Sequence, residues 1–353
     1  MNRKTGIKIL FLSAILIASL LFIAYKYLSP KTYKILGRDF FSGSASEKEV
    51  QNKSINPGDS QDPLSFCQKG SWANYPYEWW YFSGHLEDVG NPAHKFGLTL
   101  IFFKYVPRIV YIVSESGANE NFSHSINFSG YDTFEAEKLD IKKGDFSWKN
   151  TSSSSYKIGF SQSGIQVQLE LAAQKNFYII TNEEQEFYCQ QPRLEAEGTL
   201  ALNGRNYQVK GIGLIDHQGF KSAIWWKSWK WYAIHLDNGV DMVFFRELVD
   251  APGQKLGNED LAILDGSGKK EIVAAENYEL KSSNTWTDTR TSISYPTEWS
   301  LAIPQRGINL KALSIMPDQV VDGADGLYLG SFQITGIFEN KEVGGRAQLE
   351  YYP

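Results

Sequence analysis

Hydrophobic and polar positions alternate strictly through several stretches of this chain. Ile165, Val167, Leu169 and Leu171 fall on one side of an extended segment, Trp299, Leu301 and Ile303 on one side of another, and Phe332 and Ile334 repeat the pattern near the end. A period of two is that of a half-buried β-strand, whose successive side chains point to opposite faces. Turn-rich breaks such as Leu202-Asn203-Gly204-Arg205 and Asp265-Gly266-Ser267-Gly268 separate the strands. Beyond the N-terminal region no long segment keeps a helical period, so the pattern predicts an all-β body.

The N-terminal region follows other rules. Residues 9 to 25 are uncharged and largely apolar, preceded by Arg3, Lys4 and Lys8, which is the layout of a signal peptide or a signal anchor. At about 1.5 Å per residue the run spans roughly 26 Å, and Tyr25 and Tyr27 can extend it at the interface. It has no convincing small-residue cleavage site and no nearby cysteine to carry a lipid. Retention of residues 1–30 as a membrane anchor is the expectation, with the folded body exported to the periplasm or cell surface. Residues 31–63, rich in Ser, Gly, Asn, Gln and charge from Ser42 onward, predict a flexible linker.

The body repeats itself. Trp79-Trp80-Tyr81-Phe82-Ser83-Gly84-His85-Leu86 aligns without a gap on Trp229-Lys230-Trp231-Tyr232-Ala233-Ile234-His235-Leu236. Phe102-Phe103-Lys104 answers Phe244-Phe245-Arg246. Towards the end of each half, Gly198-Thr199-Leu200-Ala201-Leu202 matches Gly330-Ser331-Phe332-Gln333-Ile334, and Val209-Lys210-Gly211 matches Val343-Gly344-Gly345. Two copies that open and close alike predict two similar antiparallel β-domains, residues 64–216 and 217–353, joined near Asp216 to Ser222.

Composition narrows the function classes. With 42% hydrophobic and 14% aromatic side chains, 353 residues suffice for two cores. The net charge is −5 although the first thirty residues are basic, so the body is acidic and ill-suited to a phosphate backbone. The two cysteines, Cys67 and Cys189, either pair, as an oxidising compartment would allow, or remain two buried thiols. The sequence has no G-x-S-x-G elbow, no complete dinucleotide fingerprint and no phosphate loop. Its five histidines lack metal-ligand spacing, so no metal and no cofactor are assigned.

The remaining chemistry lies in Asp216-His217-Gln218, an acid and an imidazole near Trp225, Trp226, Trp229 and Trp231. Burial would raise the acid's pKa, and aromatic faces stabilise a nearby cation. Adjacent strand residues point to opposite faces, so both side chains reach one cavity only if Gly219 permits a bulge. Otherwise the triplet is a hydrogen-bond hub between domains. His85 and His235, at equivalent repeat positions, mark either matching sites in two barrels or, the favoured reading, a shared strand-end hydrogen bond.

Taken in order, Tyr77-Glu78-Trp79-Trp80-Tyr81-Phe82, Asp216-His217-Gln218, Trp229-Lys230-Trp231-Tyr232, Tyr295-Pro296-Thr297-Glu298-Trp299 and Asp318-Gln319 resemble the family of carotenoid 1,2-hydratase and the AttH-like lipocalin-domain proteins. The resemblance implies two tandem lipocalin-like barrels and, in some members, a hydro-lyase that adds water to an isoprenoid alkene. It points to Asp216 and His217 as catalytic residues and Trp79, Trp80, Trp229 and Trp231 as ligand-binding residues. The implied partner is an apolar isoprenoid or lipid; the alternative is a binder of such ligands without catalysis. Two positions depart from the family pattern, which commonly has tryptophan at Gly219 and glutamate at Leu329.

Overall fold

The computed structural model describes residues 67–353, except 72–73, 106, 119, 183–185, 223–227 and 248–260. The expected anchor and linker, and Trp225 and Trp226, lie outside the described residues.

Twelve strands form the first antiparallel sheet: β1 (Tyr77–Asp88), β2 (Lys95–Phe103), β3 (Arg108–Glu115), β4 (Phe122–Asn127), β5 (Thr133–Phe134), β6 (Asp140–Lys143), β7 (Phe146–Ser152), β8 (Ser155–Gln162), β9 (Ile165–Ala173), β10 (Tyr178–Asn182), β11 (Glu186–Leu202) and β12 (Arg205–Phe220). Their order is β4-β3-β2-β1-β12-β11-β9-β8-β7-β6-β5, with β10 also on β11. The second sheet holds β13 (Trp229–Leu236), β14 (Asp241–Glu247), β15 (Leu261–Leu264), β16 (Lys270–Val273), β17 (Glu279–Thr287), β18 (Ser294–Ile303), β19 (Ile308–Ser314), β20 (Tyr328–Phe338) and β21 (Lys341–Tyr352). It runs β16-β15-β14-β13-β21-β20-β19-β18-β17. The two orders superpose strand for strand from β1 and β13 outward, which is the repeat expressed as topology. The architecture is all-β, two curled lipocalin-like sheets in tandem.

The alternating pattern decides what each face buries. Along β9, Ile165, Val167, Leu169 and Leu171 are buried while the residues between them are exposed. The hairpin from β11 to β12 turns on Asn203 and Gly204, both at positive φ (49° and 81°), the conformation a two-residue turn demands. Inner faces build two separate cores. Trp80, Phe82, Trp148 and Tyr156 lie in the first, and Tyr232, Tyr295, Trp299 and Phe332 in the second.

A third apolar cluster lies between the sheets, whose outer faces pack on each other through Tyr81, Ile101, Val110, Leu214, Trp231, Ala233 and Leu329. Polar ties cross the same seam. Ser83 Oγ donates to Gln348 Oε1 at 3.1 Å, and Asp241 accepts ion pairs from Lys175 (2.7 Å) and Arg193 (2.8 Å). His235 Nδ1 is 2.7 Å from the same carboxylate. Its repeat counterpart His85 has its ring centre 6.0 Å away, so the two histidines meet across the seam.

Two sequence expectations meet the structure here. Cys67 and Cys189 form a disulfide that ties the chain ahead of β1 to β11. The expected division between residues 216 and 217 falls inside β12, which continues to Phe220 in unbroken register with β1; the second sheet starts at Trp229.

Candidate active site between the two sheets

β12 pairs with β1 without a bulge, Trp80 opposite His217 and Tyr81 opposite Asp216. Alternation therefore holds through the triplet, and its acid and imidazole point to opposite faces. His217 is wholly buried against the first core, stacked on Trp80 with ring centres 3.7 Å apart. Its Nδ1 donates to the Cys67 carbonyl at 2.9 Å and its Nε2 meets Glu78 Oε1 at 2.8 Å. Both nitrogens are thus engaged on the face away from Asp216. Trp80 lies there too, its Nε1 donating to Gly70 O at 3.0 Å. Gly219 shares this face, and a Cβ there would stand 2.3 Å from the Phe187 ring. The absent tryptophan therefore takes nothing from the surroundings of Asp216: its place is filled by core packing.

Asp216 belongs to the seam. It is buried, and its Oδ1 has no hydrogen-bond partner among the described residues. Burial pushes its carboxyl well above the usual carboxylate range; a hydrogen bond with Tyr188 opposes this, and the Glu350 and Glu186 carboxyls add to it. Trp231 Nε1 donates to Tyr188 Oη at 3.1 Å, and its ring meets Tyr81 edge-on at 5.6 Å. Burial likewise raises the Tyr81, Tyr178 and Tyr188 phenols, which stay protonated.

Facing this acid is one that the sequence analysis missed. Glu350 on β21 lies opposite Trp231, as Asp216 lies opposite Tyr81. Burial pushes its carboxyl up to about 7, against a 2.9 Å hydrogen bond from Trp229 Nε1. The signal was present in the repeat. Carrying the match of Gly211 with Gly345 five residues further sets Asp216 on Glu350. Leu329, where the family pattern has glutamate, is the direct β20 neighbour of Glu350, so a carboxyl is retained one strand away.

Beside this pair the outer face is aromatic. Trp79 stacks on Phe220 and Trp229 on Tyr352. A cavity of about 350 Å³ opens against Tyr77, Glu78, Trp79, Phe103, Tyr105, Arg108 and Asn127, within the size range of small-molecule sites. Of the residues proposed from sequence, the structure brings Asp216 and Trp79 of the first sheet and Trp229 and Trp231 of the second to the seam, and leaves His217 and Trp80 on the inner face of the first sheet. Among the described residues no three His, Cys, Asp or Glu side chains converge as metal ligands.

The raised carboxyls set a pH dependence. Unfolded, Glu350 releases its proton near 4.5; folded, it holds it to about 7. The folded state binds the extra proton between these values, so stability should fall as pH rises through them, by about 3 kcal/mol from this group. His85, held by burial well below 6.5, acts with the opposite sign: its contribution is present above 6.5 and lost as pH falls. Urea titrations of wild type and Glu350→Gln should show the difference between them changing across pH 4.5 to 7. A constant difference would contradict the assignment.

Residues 57–350 match the model of the AttH-like family. No protein of curated function matches the sequence. Among solved structures, the chain resembles the Nitrosomonas europaea protein assigned to AttH, with TM-score 0.69 and 18% identity over 84% of this chain and 98% of that one. It also resembles kievitone hydratase from Nectria haematococca, with TM-score 0.68 and 17% identity over 82% and 92%. CghA is more distant, with TM-score 0.52 and 10% identity over 78% and 88%.

Proposed function

The chain belongs to the AttH-like family, and from that premise and its facing carboxyls we propose that it hydrates an alkene in an apolar ligand of isoprenoid or lipid type, bound between the two sheets. The observation that carries this is Asp216, a buried carboxyl held neutral with one oxygen unpartnered. A neutral acid in an apolar setting is the proton donor that hydration requires. A protein similar in fold, kievitone hydratase, bears the name of a hydratase.

Asp216 delivers its proton to the less substituted alkene carbon. A C–H bond forms, the π bond breaks, and a tertiary cation remains. The π faces of Trp231 and Tyr81 stabilise that cation. Water adds to it, forming the C–O bond, and gives a proton to Glu350, which is partly ionised near pH 7. Proton exchange with solvent returns Asp216 to its acid form and Glu350 to its base form; the net change is alkene plus water to tertiary alcohol. His217, expected from sequence to be catalytic, is not placed to activate this water, since both its nitrogens are bonded on the other face; Glu350 takes that role. The cavity ends one row of side chains from Asp216, so the ligand enters by displacing Trp79 and Phe103. The disulfide supports the further proposal that the body is exported, tethered by residues 1–30.

The second reading, a binder without catalysis, draws on the aromatic wall at Trp79, Phe103 and Trp229, which suits an extended apolar molecule whether or not it reacts. Organic extraction of the purified protein followed by mass spectrometry tests both. An unsaturated apolar compound, together with a product heavier by one water, supports the hydratase; the compound alone supports the binder. A protein that carries nothing and takes up no isoprenoid or lipid would remove both.

A further inference from the structure

The outer face of the first sheet presents two adjacent cross-strand rows. One runs Asn127, Arg108, Phe103, Trp79, Gln218 and the other Ser125, Val110, Ile101, Tyr81, Asp216. Asn127, Arg108, Phe103 and Trp79 of the first row line the cavity together with Glu78, whose carboxylate is bound to Lys104 and His217, and Arg108 is the one charge in the row. Arg108 is half-buried with its guanidinium 4.9 Å from the Phe103 ring centre, yet it makes no ion pair and no side-chain hydrogen bond among the described residues. Burial depresses its pKa, and the Asp325 carboxyl and the Tyr352 phenol oppose that shift. Its guanidinium lies over the Phe103 ring, and its five N–H donors meet no protein acceptor among the described residues, which leaves them to water or to a ligand. Asn127 stands directly opposite it on β4, at the same cavity wall.

We infer that Arg108 is the anchor for a carboxylate on the ligand, so that the molecule taken up is an amphiphilic acid and not a hydrocarbon. This rests on the ligand site proposed above and adds the ligand's charge and length. A planar guanidinium matches a carboxylate in a two-point contact, and Trp79 and Phe103 continue from it as an apolar path. Between Arg108 and Asp216 lie three strand spacings and one two-residue step, roughly 16 Å along the sheet. The carboxylate therefore sits about that far from the carbon that Asp216 protonates, which fixes the position of hydration by measuring from the charged end.

Palmitate and hexadecanol, equal in chain length and differing in charge, are the probes, with binding followed by intrinsic tryptophan fluorescence. Wild type should bind palmitate about tenfold more tightly than hexadecanol or better. Arg108→Gln should erase that preference, bringing the ratio of the two affinities to about one, and Arg108→Lys should restore part of it. A melting transition like that of wild type certifies that the variant is folded. Equal affinity of wild type for both probes, or a preference that survives in Arg108→Gln, overturns the anchor and leaves the apolar site standing. Failure of wild type to bind either probe overturns the site and the anchor with it.

Discussion

Asp216→Asn should abolish hydration while leaving ligand affinity within about twofold of wild type. The amide keeps the shape of the side chain but offers no proton of suitable acidity, and loss of a positioned general acid costs about 10²- to 10⁴-fold. The readout is formation of the alcohol, followed as the mass gain of one water on the compound extracted from the protein. The same substitution should change stability in a pH-dependent way. Folded wild type must keep a proton on a carboxyl that the unfolded chain releases near its ordinary value of 3.8, and asparagine removes that requirement. The variant should thus compare more favourably with wild type at pH 7 than at pH 3. Wild-type turnover in Asp216→Asn would end the assignment of Asp216 as the acid, and an unchanged comparison across pH would show that the carboxyl is not held neutral.

The second large effect concerns the disulfide. Cys67 and Cys189 close a loop of 122 positions, for which loop-closure entropy predicts a contribution of about 4 to 5 kcal/mol. Local contacts depend on it as well. The Cys67 carbonyl takes the Nδ1 proton of His217, Gly70 O takes the indole N–H of Trp80, and Ser71 Oγ donates to Glu78 Oε2 at 3.1 Å. Releasing the segment ahead of β1 loosens all three. Cys67→Ser with Cys189→Ser should lower the unfolding free energy by about that amount in denaturant titrations, and a reducing agent should reproduce the loss in wild type. Coincident melting curves with and without reductant would refute it.

Much of the fold was legible because sheets advertise themselves in sequence. Alternation from Ile165 to Leu171 gave β9, Asn203-Gly204 gave the turn after β11, and the paired aromatic segments gave the tandem sheets. The site was legible only by half. Asp216 stood out for its neighbours, but the direction of each member of its triplet depends on register. Gly219 left a bulge open in principle; the unbroken pairing of β1 with β12 closes that option and sends His217 inward. His217's true partner, Glu78, lies 139 residues away in the chain, and nothing local marks the pair. Glu350 sits in the C-terminal strand among aromatic residues, where an acid reads as solvent-facing. Its burial comes from the packing of one sheet on another, a property no single strand carries.

The duplication has one more consequence. Two identical halves packed about a twofold axis would have set identical carboxyls in identical surroundings, and such a pair would compete for the same proton with no division of labour. Here the symmetry is broken at each neighbour. Asp216 is flanked by Tyr81 and Gln190, Glu350 by Trp231 and Leu329, and one side chain is a methylene longer than the other. On the mechanism proposed above, divergence between two copies of a single position is what divides the pair into a donor and an acceptor, a division that two identical copies could not make.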